Sequence, residues 1–343
     1  MKNTTKFNIF DIIGKDNKEL MHSQIISHLL HTRPKFREIF IKGNEYNQPP
    51  KLEVSYKKNE KNKTLRCRID IELKSDDEKA ILFIENKFKS FPEDDQLVNY
   101  NKIFKEVFTK DIKLVKYLFC FDKTLYNLKN DSWKIYDYED FLKYLETDII
   151  NFKPGDEKIL IQHYILFLKK YIDQYKKLET NCSHLYNEGR ELNKDDKFWL
   201  KLLNSKIALL FKEKIHNQFN FNINPGNTTT PLLNIIPTKW KEKFGEDLLI
   251  QFQVNKLSFY LHSSNKEKAK ELVEFCGKHL WSKNLKLKKV TKRKVKSCYI
   301  FTTSITDHLS DNFKLDDIIN LLVDFYNNIN DKIVKNYNNT SKK

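Results

Sequence analysis

Hydrophobic and polar residues follow two different periods in the first part of this chain. Residues 19–31 (ELMHSQIISHLLH) place apolar side chains at helical spacing, which predicts an amphipathic helix. Three runs rich in β-branched and aromatic residues follow at 51–58, 66–73 and 81–88. Such short runs separated by polar turns predict β-strands.

The pattern continues with alternating helices and strands. Pro92 with the acidic residues behind it predicts the start of a helix that ends near Phe108, because acidic side chains suit the N-terminal end of the helix dipole. A strand is expected at 113–121, a short strand entering a helix at 133–147, and a long helix at 156–177. This order predicts an α/β fold with a mixed sheet flanked by helices.

The second half of the chain also mixes both element types. A domain boundary is expected between Lys177 and Asp195, which predicts domains at 1–180 and 181–343, the second being a smaller α/β domain that binds substrate or a partner. The predicted elements are helices at 195–220, 265–280 and 315–329 and strands at 248–254, 257–263 and 297–305. Asn255-Lys256 between two of these strands is a hairpin signal.

Composition limits the class of protein. Hydrophobic residues make up 40% of the 343 residues, enough for a sizeable core. No apolar run approaches the roughly 20 residues that span a bilayer. The N-terminal sequence lacks the apolar stretch of a signal peptide. The five cysteines are scattered without a C-x-x-C pair, which favours reduced thiols and a cytoplasmic location.

The net charge of +16 indicates a polyanionic partner, most simply nucleic acid. A second explanation is composition alone. Lysine far outnumbers arginine, and asparagine and isoleucine are abundant, as AT-rich coding would produce.

The clearest candidate chemistry lies on the strands at 66–73 and 81–88. If these strands form a hairpin with its turn near 77–78, Asp70 and Glu85 lie opposite each other, with Cβ atoms roughly 5 Å apart. Lys87 is two residues beyond Glu85 and projects from the same face. Two carboxylates suit Mg²⁺, and a neighbouring lysine suits phosphodiester hydrolysis, where it orients or deprotonates water or stabilises charge. The alternative is a salt-bridged hairpin on a solvated face.

The order and spacing of four separate motifs resemble the PD-(D/E)XK nuclease superfamily, specifically its bacterial branch with a glutamate and His-Ser in the first helix. The resemblance covers roughly residues 10–175. The motifs that carry it are Glu19-x-x-His22-Ser23, Arg68-Ile-Asp70-Ile, Ile84-Glu85-Asn86-Lys87 and Gln96-Leu97-x-x-Tyr100. Ile69 stands where the superfamily often has proline, a position that is frequently replaced.

The resemblance implies a restriction-endonuclease-like core and a metal-dependent nuclease. It implies that Asp70 and Glu85 bind Mg²⁺ or Mn²⁺ and that Lys87 is the catalytic lysine. Glu19 would supply a further metal-binding carboxylate, and Gln96 would lie beside the site. On its own, a glutamate that opens a helix more often complements the helix dipole.

A basic segment at 283–296 has eight basic residues and no acidic one. Phosphate contacts give affinity with little sequence information. The residues expected to contact phosphates are Lys288, Lys289, Lys292, Arg293 and Lys294. The alternative is a solvated basic loop.

The favoured function is hydrolysis of DNA, by analogy in defence against foreign or phage DNA. Two other classes stay open, namely a non-catalytic nucleic-acid-binding module with a nuclease fold and an RNA-directed nuclease toxin. The expected partner is nucleic acid, most simply DNA, without a membrane. A homodimer and a partner protein of a defence system both stay open.

Replacing the five residues of the 283–296 segment that are expected to contact phosphates with glutamate should weaken DNA binding and flatten its dependence on salt, because phosphate contacts release counterions. Titration of labelled DNA at several salt concentrations measures both effects. Unchanged binding would leave the segment as a solvated loop.

Overall fold

The structure is a computed structural model that describes most of the chain in several segments. The chain divides into two units, residues 1–173 and 174–343, and each is described separately below. The predicted boundary at 180/181 stays a prediction. The described residues are 8–12, 19–43, 45–60, 63–88, 96–125, 132–186, 191–215, 219–223, 231–244, 247–263, 265–280, 288–289 and 297–340.

A five-stranded mixed sheet forms the centre of the first unit, with strand order β1-β2-β3-β4-β5. The strands are β1 Lys51–Glu60, β2 Lys63–Lys74, β3 Ala80–Lys87, β4 Lys113–Cys120 and β5 Lys134–Asp137. The first three strands pair antiparallel, whereas β3, β4 and β5 run parallel. The predicted mixed sheet is confirmed.

Helices surround this sheet. They are α1 Ile9–Ile12, α2 Glu19–Thr32, α3 Pro34–Phe40, α4 Gln96–Val107, α5 Tyr138–Asp148 and α6 Asp156–Thr180. Every residue of β3 from Ala80 to Asn86 is buried, so this strand is covered on both faces. The side chain of Asp137 caps α5 by accepting a hydrogen bond from the Asp140 N–H at 2.8 Å.

The register of β2 against β3 decides where the candidate residues lie. Ile71 pairs with Ile84 and Lys74 with Ile81, around a turn that begins at Ser75. Continuing this register by one residue places Asp70 opposite Glu85, as the hairpin pattern predicted. A shift of one residue would send the two carboxylates to opposite faces of the sheet.

A cluster of apolar side chains joins α4 to the sheet. Phe83 of β3 and Phe104 of α4 stack with ring centroids 4.3 Å apart, and both are almost fully buried. Tyr56 of β1 packs edge-on against both rings. This packing holds the first turn of α4 beside the ends of β2 and β3.

The second unit contains a six-stranded sheet in the order β10-β11-β9-β8-β7-β6, and each neighbouring pair is antiparallel. Its strands are β6 Phe219–Ile223, β7 Leu232–Pro237, β8 Asp247–Gln253, β9 Lys256–His262, β10 Lys288–Lys289 and β11 Ser297–Ser304. Its helices are α7 Lys194–Lys214, α8 Thr238–Phe244, α9 Lys266–His279 and α10 Leu315–Thr340.

Some predictions for the second unit were wrong in detail. The helix expected at 195–220 ends at Lys214, and β6 begins at Phe219. Strand β7 and helix α8 were missed, because the two short elements follow each other directly and neither run shows a clear period. The hairpin at 248–263 is confirmed, with Gln253 paired to Lys256 across the turn.

Two further observations bear on the composition. Among the described residues, no helix is long and apolar enough to cross a membrane. Four of the five cysteines have described side chains, and all four are buried, namely Cys67, Cys120, Cys182 and Cys276.

Replacing Phe104 with alanine should lower the free energy of unfolding by about 3–5 kcal/mol, because it removes a stacked, buried ring and leaves a cavity. Urea denaturation measures the change. Ile150→Ala is the control, since Ile150 is 78% exposed and should change the free energy by less than about 0.5 kcal/mol. Equal effects would contradict the packing described here.

Candidate active site

The candidate site lies where β2 and β3 leave their paired region. Asp70 is half-buried near the middle of β2, while Glu85 is only 2% exposed near the end of β3. The backbone N–H of Asn86 donates to Asp70 Oδ2 at 2.7 Å, so the two strands remain joined at this point. The side chain of Asp70 is thereby held next to the residue that follows Glu85.

Two side chains hold the carboxylate of Glu85. Lys87 Nζ lies 2.8 Å from Glu85 Oε1. The amide of Gln96, the first residue of α4, donates to the same oxygen at 2.8 Å. Glu85 is therefore in direct contact with both Lys87 and Gln96.

A chain of hydrogen bonds connects Gln96 back to β2. Gln96 Nε2 also donates to Tyr100 Oη at 2.7 Å, and Tyr100 Oη donates to the carbonyl oxygen of Arg68 at 2.9 Å. Tyr100 is therefore a positioning residue rather than only a packing residue. Its position four residues after Gln96 places both side chains on one face of the helix.

Asn86 connects the site to the first helix and is the main residue that sequence reasoning missed. Its side-chain amide donates to the carbonyl oxygen of Glu19 at 3.1 Å and to Ser23 Oγ at 3.0 Å. Its Oδ1 accepts a hydrogen bond from Tyr138 Oη at 2.7 Å. The available signal was a polar residue inside an otherwise apolar strand, where burial requires satisfied hydrogen bonds.

The carboxylates of the site repel one another in a buried environment. Burial raises the pKa of Asp70, with a further contribution from the Glu19 carboxylate. Burial likewise raises the pKa of Glu85, and the charge of Asp70 adds to it. The charge of Glu19 acts on both groups, although among the described residues the three carboxylates do not form a cluster arranged to hold a metal ion.

Lys87 experiences two opposing influences. Burial lowers the pKa of its ammonium group, but the carboxylates of Glu85, Glu19 and Asp70 raise it, and the net pKa is raised. Lys87 is therefore protonated at neutral pH in this arrangement. A protonated lysine donates hydrogen bonds and does not accept a proton.

The residues present fit a divalent cation. Glu85 Oε2 is buried and has no hydrogen-bond partner among the described residues, which is costly for a carboxylate oxygen. Within the described part of the chain, no group of three or more His, Cys, Asp or Glu side chains is arranged to hold a metal ion. Mg²⁺ typically takes only one or two carboxylates and keeps several waters, so Asp70 and Glu85 alone suffice in number.

Two neighbouring residues have structural roles. Glu72 is only 2% exposed and accepts a hydrogen bond from Tyr56 Oη. His22 is buried, bonds Tyr164 Oη through Nδ1 at 2.7 Å and stacks on Phe88 with ring centroids 3.9 Å apart. His22 therefore anchors α2 through packing and hydrogen bonding.

Within the basic segment at 283–296, the described residues are 288–289. Lys288 and Lys289 form β10, whose backbone pairs with Thr302 and Phe301. The other predicted phosphate-binding residues, Lys292, Arg293 and Lys294, lie outside the described residues. Their expected role stays a prediction.

Comparison with known families identifies the class of this unit. Residues 7–166 match the family model of the PD-(D/E)XK nuclease superfamily. The resemblance drawn from the four motifs is confirmed at this level, and the architecture is consistent with a restriction-endonuclease-like fold. The family indicates a nuclease, a phosphodiesterase acting on nucleic acid, and such nucleases generally use divalent metals. No curated protein and no solved structure matches the chain.

Replacing Asn86 with alanine should lower the free energy of unfolding by about 2–4 kcal/mol, because three hydrogen bonds, two of them buried, are lost together. Tyr138→Phe removes only one of these bonds and should cost about 1 kcal/mol. Urea denaturation in EDTA compares the two variants. If Asn86→Ala were no more destabilising than Tyr138→Phe, Asn86 would not link the strand to the first helix.

Proposed function

We propose that this protein is a metal-dependent nuclease that hydrolyses phosphodiester bonds in DNA. The observation that carries the proposal is the contact of Glu85 with Lys87 and Gln96, opposite Asp70, within the segment that matches the nuclease family. In this proposal Asp70 and Glu85 are the metal ligands, with Glu19 as a further carboxylate from α2.

The proposed cofactor is Mg²⁺ or Mn²⁺. The buried oxygen of Glu85 without a hydrogen-bond partner among the described residues supports this choice, as does the repulsion between Glu85 and Asp70. Hard divalent cations prefer carboxylate oxygens. When bound, such a cation supplies a water of lowered pKa and offsets negative charge on the phosphate.

Lys87 acts on the phosphate in this proposal. Burial lowers the pKa of its ammonium group, but the charges of Glu85, Glu19 and Asp70 raise it by more, so the group is protonated at neutral pH. It therefore donates hydrogen bonds to the oxygens on which charge develops as the bond to phosphorus forms. Gln96 positions this group indirectly, since it holds the same oxygen of Glu85 that pairs with Lys87.

The complete Asp70, Glu85 and Lys87 set argues against a non-catalytic module, because loss of function would remove the constraint on these residues. We favour DNA over RNA because no recognisable RNA-binding motif was found in the sequence. Defence against foreign DNA is the role proposed by analogy, and a cytoplasmic location accompanies it.

The test is cleavage of supercoiled plasmid, linear duplex DNA, single-stranded DNA and RNA with Mg²⁺, with Mn²⁺ or with EDTA. Wild-type protein should cut DNA only with a metal. Glu85→Gln and Lys87→Ala should each reduce the rate by about 100-fold or more, because they remove a ligand and a stabilising charge.

Lys113→Ala is the matched control. This exposed lysine begins β4 beside Ala80, at the opposite end of the sheet from Lys87. The control should cut at the wild-type rate. Cutting of RNA alone would favour the RNA-directed nuclease, and metal-dependent cutting that survives Glu85→Gln would reject the proposed site.

A further inference from the structure

The β1–β2 hairpin presents one exposed face with a positive charge. Its strands pair antiparallel from Lys51 opposite Glu72 to Glu60 opposite Lys63. Side chains alternate between partly buried and exposed along β1, as the two faces of a strand require. The exposed side chains near its centre are Ser55, Lys57, Asn59, Thr64, Arg66 and Arg68.

The other face of the hairpin is occupied by helix α4. Val54, Tyr56 and Leu65 pack against the apolar cluster that includes Phe104. Lys58, which points to this side, forms an ion pair with Glu106 of α4 at 2.6 Å. The hairpin is therefore fixed by its inner face, and the side chains of its outer face are exposed.

Like charges face each other on the outer surface. Lys57 lies directly opposite Arg66 in the strand register, and both are exposed. Within the described residues, neither side chain forms an ion pair, whereas Arg68 is held by Glu53 at 3.4 Å. Like charges directly opposite each other destabilise a sheet. A polyanion bound across this face would offset that repulsion.

The charged face leads directly to the candidate site. Thr64, Arg66 and Arg68 are alternate residues of β2 with exposed side chains, and Asp70 follows two residues after Arg68 along the same strand. With a rise of about 3.4 Å per residue, Arg68 is roughly 7 Å and Arg66 roughly 14 Å from Asp70 along the strand. That spacing suits phosphates a few nucleotides from the one being cleaved, since DNA rises about 3.4 Å per nucleotide of one strand.

We propose that this outer face is the docking surface for the phosphate backbone of duplex DNA, with Lys57 and Arg66 as its central contacts. The inference rests on the proposed nuclease function and adds where the substrate lies. Duplex DNA is favoured over a single strand because the described outer residues between 55 and 68 include no aromatic side chain, and proteins that bind single strands stack bases on aromatic rings. A rigid, positively charged ribbon suits the regular phosphate array of a duplex.

The test measures binding of a short, labelled DNA duplex by fluorescence anisotropy in EDTA, which prevents metal-dependent cleavage. The Lys57→Ala/Arg66→Ala double variant should bind roughly tenfold more weakly at moderate salt. The slope of log affinity against log salt should become shallower by about 1.8, or about 0.9 for each lost phosphate contact.

A matched control separates this effect from net charge. Lys110→Ala/Lys113→Ala removes the same charge from two exposed lysines at the opposite end of the sheet, and it should bind like wild type. Equal losses in both double variants would overturn the docking surface. A second result would also overturn it, namely that the hairpin variant binds DNA like wild type but self-associates in size-exclusion chromatography. The charges would then serve to prevent pairing between chains, as charges on an edge strand can do.

Cleavage and duplex binding together distinguish the docking surface from the nuclease activity. If wild type cuts no substrate but the hairpin variant alone loses duplex binding, the surface stands and the nuclease proposal fails. If wild type cuts DNA and the hairpin variant binds and cuts equally well, the nuclease stands and the surface fails. Lack of duplex binding by wild type in EDTA would also reject the surface.

Discussion

The buried carboxylate of Glu85 is the constraint on which the first unit depends. Removing a charged carboxylate from water is costly unless its oxygens are paired. Lys87 and Gln96 both contact one oxygen, while the other has no partner among the described residues. The end of β3 and the start of α4 are therefore joined through the Glu85 carboxylate. Its second oxygen suits a bound cation.

The residue after Glu85 links three elements around the site. Asn86 follows Glu85 and holds Asp70 through its backbone and the first helix through its side chain. Because Glu85 and Asn86 are consecutive, the strand directs one side chain to the sheet face that carries Lys87 and the other toward α2. A single dipeptide therefore aligns the carboxylates with the helix that carries Glu19.

The two faces of the β1–β2 hairpin also differ in their roles. Its inner face contributes to the apolar core with α4, whereas its outer face carries Lys57 opposite Arg66. Packing therefore stabilises an arrangement in which like charges oppose each other at the surface. Because these like charges destabilise the sheet, they suit binding of a polyanion and do not contribute to stability.

Sequence alone determined the positions of the central strands and helices of the first unit, because long apolar runs and polar turns are local signals. It also predicted Asp70 opposite Glu85, since a short hairpin fixes the register of its strands. Only the tertiary structure decided that Asn86 joins β3 to α2, that Glu72 is buried, and that Lys57 and Arg66 share an exposed face. These features depend on which distant segments pack against each strand, and no local pattern encodes those partners.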